Sequence, residues 1–144
     1  MMFVKQISVF LENTTGSLAR LTRLLSKGGV DLIALSIADT EQYGIMRCIV
    51  SDTDLGVKIM REAGYVARLT DVVAVSVPDQ PGGLAHVLTL LNAADVSVEY
   101  LYSFVRNSGS HALVIFRLSD NNRGVRVLQE GDITLLTQEE VRSL

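Results

Sequence analysis

The chain has 144 residues with 48% hydrophobic and 20% charged side chains, which is ordinary for a folded globular protein and too apolar for disorder. Its formal net charge of −3 comes without any run of Lys or Arg, so neither a nucleic-acid backbone nor an anionic membrane surface has a cation cluster to meet. One cysteine, Cys48, excludes an intrachain disulfide and fits a reducing, cytoplasmic compartment; no charged segment followed by a long apolar run opens the sequence, and no spanning helix is expected.

In chain order, Ile7, Val9 and Leu11 alternate with other residues and predict a first strand. Asn13-Thr14-Thr15-Gly16 is a turn that offers side-chain caps to the next helix, on which Leu18, Leu21 and Leu25 recur at helical spacing. Gly28-Gly29 supplies a stop. Strands follow over 30–39 and 45–50 around a turn at 41–44, then a short helix capped by Asp52-Thr53-Asp54, a stop at Gly64 and a fourth strand over 66–69. Only Thr70-Asp71 then precedes a second series: strands over 72–77, 96–106, 111–118 and 133–136, and helices over 84–93 and 122–130. Thr137-Gln138-Glu139-Glu140 reads as a capping box.

The second series is a copy of the first. Gly16 pairs with Gly82, Leu18 with Leu84, Ala19 with Ala85, Leu25 with Leu91 and Val30 with Val96, all 66 residues apart. After a turn two residues longer in the second copy, Ser51-Asp52 aligns with Ser119-Asp120 and Gly56-Val57-Lys58 with Gly124-Val125-Arg126. The expected fold is α+β: two tandem βαββαβ, ferredoxin-like repeats over 1–70 and 71–144, each an antiparallel sheet with its helices on one face.

Asn13-Thr14-Thr15-Gly16-Ser17-Leu18 with Gly29-Val30-Asp31-Leu32, and Asp79-Gln80-Pro81-Gly82-Gly83-Leu84 with Asp95-Val96-Ser97-Val98, resemble the ACT domain, twice in register. The first copy is similar to the opening of the acetolactate synthase regulatory subunit. The resemblance covers the whole chain. It implies an allosteric, amino-acid-binding regulatory protein without catalytic activity of its own, with the ligand where ACT units pair side by side. There the first strand-to-helix loop of one unit faces the start of the second strand of a neighbour. Carried over, one site takes Asn13, Thr15, Gly16, Ser17, Leu18, Asp31 and Leu32. The other takes Asp79, Pro81, Gly82, Gly83, Leu84, Ser97 and Val98. The second-strand position often filled by Asn in ligand-binding relatives is Asp31 in one copy and Ser97 in the other.

The chemistry of these residues agrees. A free amino acid carries a carboxylate and an ammonium. A glycine turn opening a helix exposes backbone N–H groups at a positive dipole end, which suits the carboxylate. Asn13, Asp79 and Asp31 hold positions from which an oxygen can accept from the ammonium. The alternatives for these residues are a ligand-free turn, a helix cap and a solvated strand end. Cys48, amid apolar neighbours, reads as a buried inert thiol, and His86 and His111 lack metal-ligand spacing. Tyr100, Tyr102 and Phe104 form one stripe, read as sheet-face packing. No cofactor or metal is expected. The expected partners are a free amino acid, a second copy of the chain in a homodimer, and a metabolic enzyme. The remaining alternatives are a dissociable regulatory subunit of an amino-acid biosynthetic enzyme and an interaction module without ligand.

Overall fold

The computed structural model describes residues 2–39, 43–104 and 109–144. The elements are β1 (Phe3–Glu12), α1 (Ser17–Lys27), β2 (Leu32–Asp39), β3 (Tyr43–Val50), α2 (Thr53–Glu62), β4 (Ala67–Pro78), α3 (Gly83–Ala93), β5 (Val98–Ser103), β6 (His111–Leu118), α4 (Asn121–Glu130), β7 (Thr134–Leu136) and α5 (Gln138–Arg142). Two compact units divide the chain at Thr70 and Asp71, and Met2, Phe3 and Val4 belong with the unit that begins at Asp71. Thr70 and Asp71 are not a linker: both lie inside β4, which serves the first unit with its opening residues and the second with the rest. The expected strand over 96–106 begins instead at Val98, and its last residues, 105 and 106, lie outside the described residues.

In the first unit the strand order is β4-β1-β3-β2, with β3 antiparallel to both β1 and β2. Alternation decides which face is covered. Ile7, Val9 and Leu11 of β1 stand beside Cys48, Met46 and Gly44 of β3, and one apolar face results. Leu21 and Leu25 of α1 and Val57 and Met60 of α2 close over that face, so both helices lie on one side. Leu21 and Leu25 are essentially fully buried, each contributing roughly 1.5–3 kcal/mol of transfer free energy.

The second unit repeats the plan. Its order is β7-β4-β6-β5, all antiparallel, with Val73, Val75 and Val77 of β4 and Val114, Phe116 and Leu118 of β6 facing Val87 and Leu91 of α3 and Leu128 of α4. Met2 and Phe3 pack against the same cluster.

The duplication is written in the backbone as well as the side chains. Left-handed residues recur at Gly16 (φ 85°) and Gly82 (86°), at Gly29 (75°) and Asp95 (58°), and at Gly64 (91°) and Asp132 (60°). Asp tolerates this region better than most residues, which lets it replace glycine twice. Asp52 and Asp120 each cap the next helix, accepting from the amides of Leu55 and Arg123. Ser51 and Ser119 each accept, on Oγ, from the amide opening the second-strand segment, Asp31 at 2.9 Å and Ser97 at 3.0 Å. The capping box at Thr137 and Glu140 is present, with both of its hydrogen bonds.

Candidate functional site

The two strand-to-helix loops open their helices in the same way. Ser17 N donates to Thr14 O and Gly83 N to Gln80 O, closing a turn whose third residue, Gly16 or Gly82, is the helix N-cap. Neither helix has a side-chain cap. The expectation that this turn supplies one is therefore corrected: a left-handed glycine occupies the capping position, and Asn13 and Asp79 lie three residues too early. Asn13 Nδ2 instead donates to Asp39 Oδ1 of β2 at 3.0 Å, and Asp79 donates its amide to Ser110 O. The helix amides that follow Ser17 and Gly83 therefore receive no side-chain cap, and they lie at the positive end of the helix dipole. A Cβ on Gly16 or Gly82 would meet nothing within 4 Å, so glycine is required there by the backbone angle while the space in front stays open.

What surrounds the first of these loops is a cleft of about 500 Å³, within the range of ligand pockets. It is lined by Thr14, Thr15, Gly16 and Ser17 of the loop, by Glu12, Arg20 and Arg23, and on the far wall by Phe10 and the turn from Ala63 to Val66. The strand order explains the juxtaposition. β4 lies beside β1, so the turn that leads into β4 is set next to the loop that leaves β1, and Phe10 N donates to Val66 O at 3.2 Å. The Arg20 guanidinium sits over the Tyr65 ring, 5.7 Å from its centroid. A smaller depression of about 220 Å³ on the other side of the loop is lined by Asn13, Leu18, Ile37 and Asp39 and shares Glu12, Thr14 and Ser17 with the larger one.

Sequence reasoning grouped Asn13, Thr15, Gly16, Ser17 and Leu18, and the structure brings these together at one loop. Asp31 and Leu32 lie elsewhere within the unit, lining a separate depression with Thr22, Ser26, Gly29 and Val30 at the far end of α1. In the second unit, Asp79, Pro81, Gly82, Gly83 and Leu84 form the corresponding loop, whereas Ser97 directly precedes β5 and Val98 opens it, past the other end of α3. Gly83 has a reason of its own: a Cβ there would run into the Pro78 carbonyl oxygen. Glu12, Arg20, Arg23 and Tyr65 were not singled out from the sequence. The signal available was the pair of arginines three apart on one helix face, together with the strand order that brings the turn before β4 alongside.

Cys48 is fully buried on β3, and burial pushes its thiol up to about 12. That removes it from nucleophilic chemistry near neutral pH. His86 lies on α3 and His111 opens β6, and among the described residues no three His, Cys, Asp or Glu side chains gather as a metal site. Among the described residues no helix is long and apolar enough to cross a membrane.

A protein from Bacteroides thetaiotaomicron of known structure is 39% identical, with 99% of this chain and 98% of that one aligned at a TM-score of 0.94. The regulatory subunit of aspartate kinase from Thermus thermophilus, solved in a ligand-free form, shares the fold at 16% identity and a TM-score of 0.62, over 88% of this chain and 91% of its own. That from Thermus flavus does so at 12% identity and a TM-score of 0.61, over 92% and 94%. No curated protein sequence matches. Residues 2–144 match the family described as an ACT domain pair, so the repeat in the sequence and the paired glycine-opened helices in the structure have one explanation: the chain belongs to the ACT domain pair family.

Proposed function

We propose that this protein is a non-catalytic regulatory protein that binds a free amino acid at the glycine loops opening α1 and α3. The observation that carries the reading is the left-handed Gly16, which opens a helix without a side-chain cap onto a charged cleft of about 500 Å³. The amides beyond Gly16 suit a carboxylate, and Glu12 in the same cleft suits an ammonium. Asp31 and Ser97, at the far ends of α1 and α3, complete such a site only from another ACT unit, which makes a homodimer part of the proposal. The edge strand β2 supports this, since Ile37 on it is 43% exposed. The regulated partner is of the class of amino-acid biosynthetic enzymes. The named Thermus structures are regulatory subunits of aspartate kinase, and the residues opening the first repeat resemble those of the acetolactate synthase regulatory subunit.

A thermal-shift screen of the purified protein against the twenty amino acids at millimolar concentration tests the reading. Ligand at about 100 times its dissociation constant adds about 2.7 kcal/mol, a rise of roughly 5–10 °C for a chain of this size. A shift from one amino acid, or from a chemically related few, is the expected result. A flat response to all twenty overturns the reading and leaves an interaction module without ligand.

A further inference from the structure

The two loops share a backbone but not their surroundings. Glu12, Arg20, Arg23 and Tyr65, all lining the first cleft, correspond in the second repeat to Pro78, His86, Thr89 and Ile133. Resting on the amino-acid-binding reading above, we propose that the cleft at the start of α1 takes an α-amino acid whose side chain itself ends in a carboxylate, and that the matching loop of the second repeat does not.

Charge counting in the cleft argues for this class. Arg20 and Arg23 lie three apart on α1, where side chains are neighbours and like charges disfavour the helix, so local stability gives no reason for the pair. Arg23 has no ion-pair or hydrogen-bond partner among the described residues, and Arg20 rests on the Tyr65 ring, which holds its planar fork without neutralising it. With Glu12 the lining carries two cations and one anion. A ligand with one ammonium and two carboxylates matches that set group for group. A neutral-side-chain amino acid leaves one guanidinium unmatched. Inorganic phosphate turns Glu12 from a partner into a repulsion. Guanidinium forks recognise carboxylates through paired hydrogen bonds, which sets acid apart from amide more sharply than a point charge does. Phe10 and Val66, 43% and 55% exposed, offer an apolar wall for the methylenes between the charges. In the second repeat Pro78 carries no charge, and the Thr89 hydroxyl is turned back to Ala85 O at 2.7 Å.

Isothermal titration calorimetry of the full chain with L-glutamate, L-aspartate, their amides L-glutamine and L-asparagine, and inorganic phosphate tests the proposal. The expected result is one acidic amino acid bound per chain, at least tenfold tighter than its amide. Arg23→Gln should lose at least tenfold in affinity and bring the acid-to-amide ratio close to one, while Thr89→Ala leaves both unchanged. Arg23 is exposed, so an unaltered melting temperature of the ligand-free variant shows that the fold is kept. Equal binding of acid and amide, an unchanged ratio in Arg23→Gln, or phosphate that competes as well as glutamate overturns the inference. A neutral amino acid that binds where the acids do not also overturns it, yet leaves the sensor reading standing. If no amino acid binds, both fall.

Discussion

Cys48 stands opposite Ile7 in the β1–β3 ladder with no exposed surface, surrounded by the apolar residues that α1 and α2 close over. Burial penalises the thiolate, raising the folded-state pKa from 9.0 to about 12. Because the folded value lies above the unfolded one, the thiol favours the native state fully below pH 9.0, and this contribution is lost as pH rises from there toward 12. In reactivity, a thiol reagent at pH 8 should leave the folded protein unlabelled and modify one thiol per chain in denaturant. Prompt labelling without denaturant would mean that β3 opens on the labelling timescale. The inertness of Cys48 was legible in the sequence, since apolar neighbours are enough to bury a thiol. The roles of Asn13 and Asp79 were not, because a cap is decided by which residue holds the N-cap dihedral angles, and that residue is glycine in both loops.

At the scale of elements, hydrophobic period and turn residues revealed most strands and helices, because each has one apolar face and a glycine or aspartate at its end. The charged cleft beside Gly16 was invisible for a different reason. Its far wall, Ala63 to Val66, comes from a turn distant in the chain and arrives only through the pairing of β4 with β1. The two glycines opening α3 also do different things, as a substitution shows. Gly82 serves the left-handed angle, but Gly83 is already helical, and there alanine is favoured by about 1 kcal/mol on propensity alone. The Pro78 carbonyl oxygen occupies the space of its Cβ, so backbone must move. Overpacking costs typically 1–3 kcal/mol. Gly83→Ala should therefore destabilise by about 1–2 kcal/mol in urea unfolding, whereas Ser17→Ala at the matching position should change stability by about 0.5 kcal/mol or less. A gain in stability for Gly83→Ala would show that the loop yields and that propensity governs.

At the scale of the whole molecule, the duplication is the deepest feature, and it was readable because glycine and turn positions keep their spacing while other side chains diverge. What spacing does not convey is where the first residues of the chain belong. Phe3 opens β1, the first strand of the first repeat, yet it is half-buried against the cluster built on Val73, Phe116 and Leu128, in the unit that begins at Asp71. Nothing in a linear reading links it to that cluster, since its partners are brought to it only by folding. Phe3→Ala should consequently remove apolar contact from the second unit, at a cost of about 1–2 kcal/mol given partial burial. Amide hydrogen exchange locates the loss. Protection in α4 and β7 should fall while α1 and α2 keep theirs, because each unit has its own buried cluster and local opening follows such clusters. Equal loss in α1 and α2 would mean instead that the two units open as one cooperative body, and that the N-terminal residues stabilise the whole chain rather than the unit they pack against.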